Sequence, residues 1–446
     1  MRVGFRSKWF VLPSILLVLA LVVACGPGPT PTLAPTPGAT PTPAPKVPFV
    51  KVGVLLPLSG ANAETGKMIK EGIEFINDQI LEQGGIKSLG GAPIRLVYAD
   101  VASDPKTAGA EMERLATKEK VSLVLGPYSS GETGGAAPVA ERTQVPELSV
   151  RSTADDVYPL NLTYWRTIGV PSSLYWVGAA RAIYDLRDEY GLKMDKIAFV
   201  GDNLKVIQLI VTGAKIVIKE KGDEGKVVAD LTYDAAAVDL TPVASKLKAA
   251  APDVQFGPAY FGSGVILLRS MDAVGWYPRL QVMTDTLVSP KAVDALGKEL
   301  GIKMTRRPGI LFNGYFSEKV ALPQIKDFVA RAEPWMKAKG FPVLEVDFVM
   351  GAQGMLLAQK VLEMAGSTDP KAINEAFRKL KVPQTDPAFI IPAFAPEINW
   401  EPNGRMVNAN FLMEQWQEKD GKWGIEVIWP KSLRTAEFLF PPEAKK

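Results

Sequence analysis

Three short stretches of this sequence place hydroxyls and charges where a small ionic ligand could be held. "LGPYSSGET" (residues 125–133) follows an apolar strand pattern and precedes a helical one. The hydroxyls of Ser129 and Ser130, with the backbone N–H groups that a helix start leaves unpaired, make a natural seat for a carboxylate. The same residue types also cap helices, and capping stands as the competing reading. "LSVRSTADD" (residues 148–156) again lies just past a strand end and carries Ser152 and Thr153. "QVMTDTL" (residues 281–287) sets Asp285 beyond a strand in the second half of the chain. Ligands of open α/β sheets bind outside the carboxyl ends of strands, so all three stretches fall on the expected rim.

Other chemistry is excluded by composition. The chain has no histidine, which removes Ser-His-Asp and Cys-His catalysis, His-ligated zinc and the commonest general base at neutral pH. "GANAETGK" (residues 60–67) has five residues between its glycines where a phosphate loop needs four, and Met68 stands where that loop needs Ser or Thr. No G-x-S-x-G elbow appears, and no G-x-G-x-x-G follows the first strand. The carboxylates are scattered. These features predict a protein that is not an enzyme and uses no cofactor or metal.

The start of the chain is built for export. Arg2, Arg6 and Lys8 precede an apolar run over residues 9–24, and no acidic residue occurs before Cys25, the single cysteine. "LVVAC" resembles the cleavage box of bacterial lipoproteins, which implies cleavage before Cys25 and lipid attachment to its sulfur. From Gly26 to Pro45 the chain is Pro, Thr, Gly and Ala with almost no large apolar residue, a composition suited to a semi-rigid tether. Full-length Lys plus Arg number 51 against 48 acidic residues; without the three signal basics the balance is 48 to 48. A neutral mature chain argues against nucleic-acid binding.

From Val50 onward, strand and helix patterns alternate. Short apolar strands at "VKVGVLLPL", "IRLVYAD", "VSLVLGP" and "VPELSV" are separated by helical stretches over about 65–82, 105–119 and 133–142. The order restarts after "YWRTIGVPSS", with a helix to about Tyr190 and strands at "KIAFVGD", "VVADLTY", "DVQFGP" and "RLQVM". This is βαβ order with near-continuous apolar strands, the pattern of parallel sheets covered on both faces. Two successive sheets predict two lobes.

These parts, in this order, resemble the branched-chain amino-acid binding proteins of ABC transporters. The matched segments are "VKVGVLLPLSG", the "GGI" after the first helix, the acidic "D…DP" of residues 100–105, "LVLGPYSSGET", "YWRT" and "INWEPNGR" (residues 398–405). The resemblance runs from about Val50 to Ile428. It implies an α/β two-lobed clamshell, each lobe an open, mostly parallel sheet flanked by helices, with three crossings near 166–171, 312–316 and 392–396. The implied division is a signal over 1–24, a tether over 25–48, a first lobe of 49–168 with 316–394, and a second of 169–315 with 395–446.

The resemblance also assigns roles. Ser130 aligns with a serine that holds the ligand carboxylate, Ser152 and Thr153 with residues that add backbone and hydroxyl contacts, Asp285 with an acid facing the ligand ammonium, and Tyr260 with a pocket aromatic. Ser129 shares the same turn, and Tyr128, Thr65 and Arg151 are candidate pocket walls. Thr65 stands where the family often has an aromatic, "NLKVIQ" (residues 203–208) where it has Tyr-Gly, and "VRST" where it has a small Pro-containing turn. Arg151 is therefore either a surface charge or a group for a second carboxylate. The implied function is a lipid-anchored protein on the outer face of the cytoplasmic membrane, delivering an amino acid or related carboxylate to an ABC permease. A ligand sensor on the same fold is the alternative, and a carboxylate-based hydrolase a weaker one.

Overall fold

The computed structural model of the chain describes residues 47–257, 261–284, 287, 291–341 and 344–445. The signal, Cys25 and the tether up to Lys46 lie outside the described residues. Among the described residues no helix is long and apolar enough to cross a membrane.

The first sheet is wholly parallel. It contains β1 (Val50–Leu56), β2 (Ile94–Asp100), β3 (Leu123–Leu125), β4 (Glu147–Ser149) and β5 (Trp165–Thr167), in the order β2-β1-β3-β4-β5. Helices α1 (Ala63–Glu82), α2 (Pro105–Arg114) and α3 (Ser130–Thr143) join its strands. All of β1 except Lys51 is buried. Val50, Val52, Val54 and Leu56 point into one apolar cluster, while Leu55 points into another with Ala108, Met112 and Ala136. Covering both faces is what makes the strand read as an unbroken apolar run.

After β5 the chain passes into a second sheet. Helix α4 (Tyr175–Tyr190) leads to β6 (Ile197–Asp202), α5 (Lys205–Glu220), β7 (Val227–Tyr233), α6 (Thr241–Ala250), β8 (Val254–Gly257), α7 (Phe261–Ala273), β9 (Leu280–Met283), α8 (Lys291–Leu296), α9 (Lys298–Thr305) and β10 (Ile310–Gly314). From β10 the chain crosses back, and α10 (Pro323–Ala338), α11 (Val346–Ala365) and α12 (Pro370–Lys379) cover the first lobe. Helix α11 lies directly on α1, and glycines allow this: a Cβ on Gly72 would strike the Phe348 carbonyl, and one on Gly351 the Ile69 carbonyl.

A short ribbon of β11 (Val382–Pro383) and β12 (Glu397–Ile398) follows. The chain then completes the second sheet with β13 (Leu412–Lys419) and β14 (Lys422–Trp429), giving β14-β13-β10-β9-β8-β6-β7. β13 and β14 are antiparallel additions to five parallel strands. The third crossing therefore lies near Phe411, later than residues 392–396. The intervening segment stays on the first lobe because Trp400 Nε1 donates to the Thr167 carbonyl at 2.7 Å and Thr167 N donates to Gly404 O at 3.3 Å. The 3-10 turn Pro392–Phe394 is itself buried in the first-lobe core.

Candidate functional site

The first sheet reverses its winding between β1 and β3, which opens a crevice at their carboxyl ends. Gly126 leaves β3 at φ 107, with its Cα so close to the Leu55 carbonyl that no Cβ fits. The loop then turns into α3, which begins at Ser130, three residues earlier than the pattern suggests. Ser129 Oγ accepts from Glu132 N at 3.3 Å, and the Glu132 carboxylate accepts from Ser129 N at 2.9 Å. This capping box fixes the helix start and uses the Ser129 hydroxyl for capping. Ser130 is left for another task. Its Oγ lies 3.2 Å from Thr153 Oγ1, and among the described residues the N–H groups of Ser130 and Gly131 meet no acceptor.

The exit of β4 alternates. Arg151 and Thr153 line the crevice, whereas Ser152 turns inward and is 1% exposed. Ser152 Oγ accepts from Ala154 N at 3.3 Å, and its carbonyl accepts from Thr167 Oγ1 at 2.9 Å. Its hydroxyl thus holds the turn. Across the first crossing, Ser172 Oγ lies 3.1 Å from both the carbonyl oxygen and Oγ1 of Thr153. A chain of hydroxyls, Ser130 to Thr153 to Ser172, therefore runs from the first lobe into the connection.

The crevice is a cavity of about 440 Å³. Tyr128, Ser129, Ser130, Gly131, Arg151 and Thr153 form the first-lobe wall; Ser172, Tyr175, Val206, Ile207, Ile210 and Thr284 form the rest. Five residues picked from the sequence, Tyr128, Ser129, Ser130, Arg151 and Thr153, thus come together. Ser152 and the half-buried Thr65 on α1 are not part of the lining. Tyr260 and Asp285 lie outside the described residues, although Thr284, next to Asp285, is in the wall. The apolar surface of α5 went unassigned in sequence; its signal was the "NLKVIQ" departure, which contains Val206 and Ile207. Among the described residues no group of three or more acidic or cysteine side chains is placed to hold a metal ion.

Arg151 is not a surface charge. Its side chain is 18% exposed, and Nη1 donates to Asp347 Oδ1 in the first turn of α11 at 2.5 Å. The guanidinium also lies 5.0 Å from the centre of the Tyr315 ring, whose hydroxyl is 3.4 Å from that of Tyr175. Burial works against the charged form, but the Asp347 carboxylate outweighs it and holds the guanidinium above its ordinary pKa. The cavity thus pairs a polar, donor-rich first-lobe wall with the apolar Val206, Ile207 and Ile210 and the hydroxyl-bearing Tyr175 and Thr284.

Comparison with known proteins agrees with this architecture. A Leu/Ile/Val-binding protein homolog from Brucella suis is 23% identical over 401 residues, covering 88% of this chain and 94% of its own. The branched-chain amino acid transporter substrate-binding protein LivJ from Streptococcus pneumoniae, solved with isoleucine, superposes with a TM-score of 0.64 at 20% identity, covering 86% of this chain and 100% of its own. A solute-binding protein of an ABC transporter from R. palustris, solved with 4-hydroxybenzoate, gives 0.64 at 20% identity over 89% of this chain and 98% of its own. The family model for periplasmic binding proteins matches residues 50–422. A match over that span, on two mostly parallel sheets joined by three crossings, establishes that the chain belongs to the periplasmic binding protein family.

Proposed function

We propose that the chain is an extracytoplasmic solute-binding protein that holds a small carboxylate between its lobes and passes it to an ABC permease, without catalysing a reaction on it. The observation that carries this reading is the joining of Ser130 Oγ, Thr153 Oγ1 and the open start of α3 on one wall of the cavity. Helix-start N–H groups and hydroxyls suit a carboxylate, and apolar residues opposite suit its hydrocarbon part. Isoleucine and 4-hydroxybenzoate, bound by the two solved relatives, share a carboxylate and differ in the rest. Residues 49–168 and 316–394, extended by the segment up to Phe411, form the first lobe in this reading, and the remainder forms the second.

Asp285, one residue beyond Thr284, is the partner for a ligand amine in this account, and Tyr260 a pocket aromatic. Asp285→Asn then weakens amine-bearing ligands and leaves amine-free carboxylates unchanged, as titration calorimetry would read directly. Export follows from the basic and apolar start, and Cys25 carries the lipid that ties the protein to the outer face of the membrane. Thermal-shift screening against amino acids and small carboxylates tests the function, because a ligand bound by the native state alone raises its apparent stability. A clear shift with members of this class supports the reading. Absence of any shift, with turnover of a substrate, refutes it.

A further inference from the structure

Among the described residues that line the cavity, Arg151 is the one charged side chain. Its guanidinium carries five N–H donors. Nη1 is engaged by Asp347, and among the described residues Nε and Nη2 meet no hydrogen-bond acceptor. Asp347 on one side and the Tyr315 ring on another hold the fork in place, so its remaining donors are presented in a fixed direction. When the lobes close, those donors lose water. A purely hydrocarbon ligand group pressed against them would leave them unpaired, which is unfavourable for a charged donor.

The same wall has a second anion-receiving point. Thr153 lies two residues further along the chain, at most about 7 Å between Cα atoms, and its hydroxyl is joined to that of Ser130. The cavity is also lined by Val206, Ile207 and Ile210, which offer no side-chain donor or acceptor, and by the hydroxyl-bearing Ser172, Tyr175 and Thr284. Two anion-receiving points on one wall, with the apolar side chains of Val206, Ile207 and Ile210 elsewhere in the lining, match a molecule with two acidic ends and a short apolar spacer.

We propose that this site selects a short-chain dicarboxylate, with one carboxylate on Ser130, Thr153 and the start of α3, and the other on Arg151. Asp347 is the positioning residue for that arginine. The inference rests on the carboxylate-binding reading above and narrows it.

Titration calorimetry on the purified protein with glutarate, glutamate, isoleucine and benzoate decides it. Glutarate or glutamate is expected to bind at least about 30-fold more tightly than either monocarboxylate, the scale on which a buried charged pair acts. Arg151→Met should lower glutarate and glutamate affinity by at least about 30-fold and bring the two classes to near parity. Because that change leaves Asp347 without its partner, the double variant Arg151→Met/Asp347→Asn is measured as well and should show the same loss of preference. Should neither variant fold, the wild-type preference alone decides. Isoleucine or benzoate binding as tightly as the dicarboxylates, or variants that keep the preference, overturns this inference and leaves the carboxylate reading standing. Failure of all four probes to bind overturns this inference, and the carboxylate reading falls with it only where the wider thermal-shift screen is silent too.

Discussion

Ser130, which opens α3 after β3, and Thr153, on the loop leaving the neighbouring β4, are 23 residues apart in sequence, and their hydroxyl oxygens lie 3.2 Å apart. Thr153 also meets Ser172 at 3.1 Å, so it connects the first-lobe wall to the segment that leads into the second. Ser130→Ala should weaken carboxylate binding by roughly 10-fold, because the backbone N–H groups of the helix start remain. Thr153→Val should cost more, up to about 100-fold, because it removes the hydroxyl shared by both neighbours. Neither residue is part of an apolar core, so unliganded stability should change by less than about 1 kcal/mol. Calorimetry and chemical denaturation of the two variants check this pattern. Unaltered affinity in both would remove the hydroxyls from the site.

Stability should fall as pH rises through the neutral range, and Glu414 is one named cause. This β13 residue is 3% exposed, its Oε1 meets no partner among the described residues, and its carboxyl lies against Gly314 beside the second crossing. Burial pushes its pKa up to about 8, with Lys319 pulling weakly the other way. The folded state therefore keeps a proton that the unfolded chain releases near its ordinary pKa of about 4.3. Its contribution is most favourable below that value and is lost progressively up to about pH 8. Glu147, fully buried on β4, is raised by burial as well and acts in the same sense. Glu414→Gln should flatten the decline in melting midpoint between pH 5 and 8 without abolishing it. Identical slopes for the variant and the parent would contradict the assignment.

Ligand binding should bring the lobes together about the three connections. Residues 168–171, 314–316 and the stretch near Phe411 join the two sheets, and each sheet packs mainly into its own apolar clusters, with Leu412 of β13 and Val427 of β14 reaching into the first-lobe cluster. Small-angle scattering should show a smaller radius of gyration at saturating ligand. Superimposable curves with and without a calorimetrically verified ligand would mean that the cleft is rigid.

Cys25 should be the anchor. Cys25→Ser is expected to leave an unprocessed, lipid-free precursor, visible as a higher-mass band that no longer incorporates labelled fatty acid. A serine variant that is still cleaved and still lipid-labelled would show that the cleavage box was misread.

Much of the fold was legible because the strands are covered on both faces and so read as apolar runs, as in β1. The switch-point loops were legible for a related reason: a strand pattern ending in Gly-Pro-Tyr-Ser-Ser marks where the rim must be. The finer assignment within those loops was not. Ser129 and Ser130 are neighbours of one type, and the capping box with Glu132 divides their roles. Ser152 faces the core and Thr153 the cavity because of a turn that no periodicity encodes. Tyr175, Val206 and Ile207 enter the site through the placement of the second lobe, which no local pattern reports. The partner of Arg151 was hidden for the same reason, since Asp347 lies 196 residues further on and reaches it through the packing of α11 on α1. The third crossing was misplaced because Trp400 and Gly404 hold "INWEPNGR" against β5.

In the proposed function the carboxylate of the ligand sits on the first-lobe wall between Ser130 and Thr153. A crystal structure of the protein with a carboxylate that gives a thermal shift would locate that group. A carboxylate oxygen is expected within hydrogen-bond distance, about 2.7–3.2 Å, of Thr153 Oγ1 and of the N–H of Ser130 or Gly131. A ligand bound elsewhere, or one whose carboxylate faces away from these groups, would contradict it.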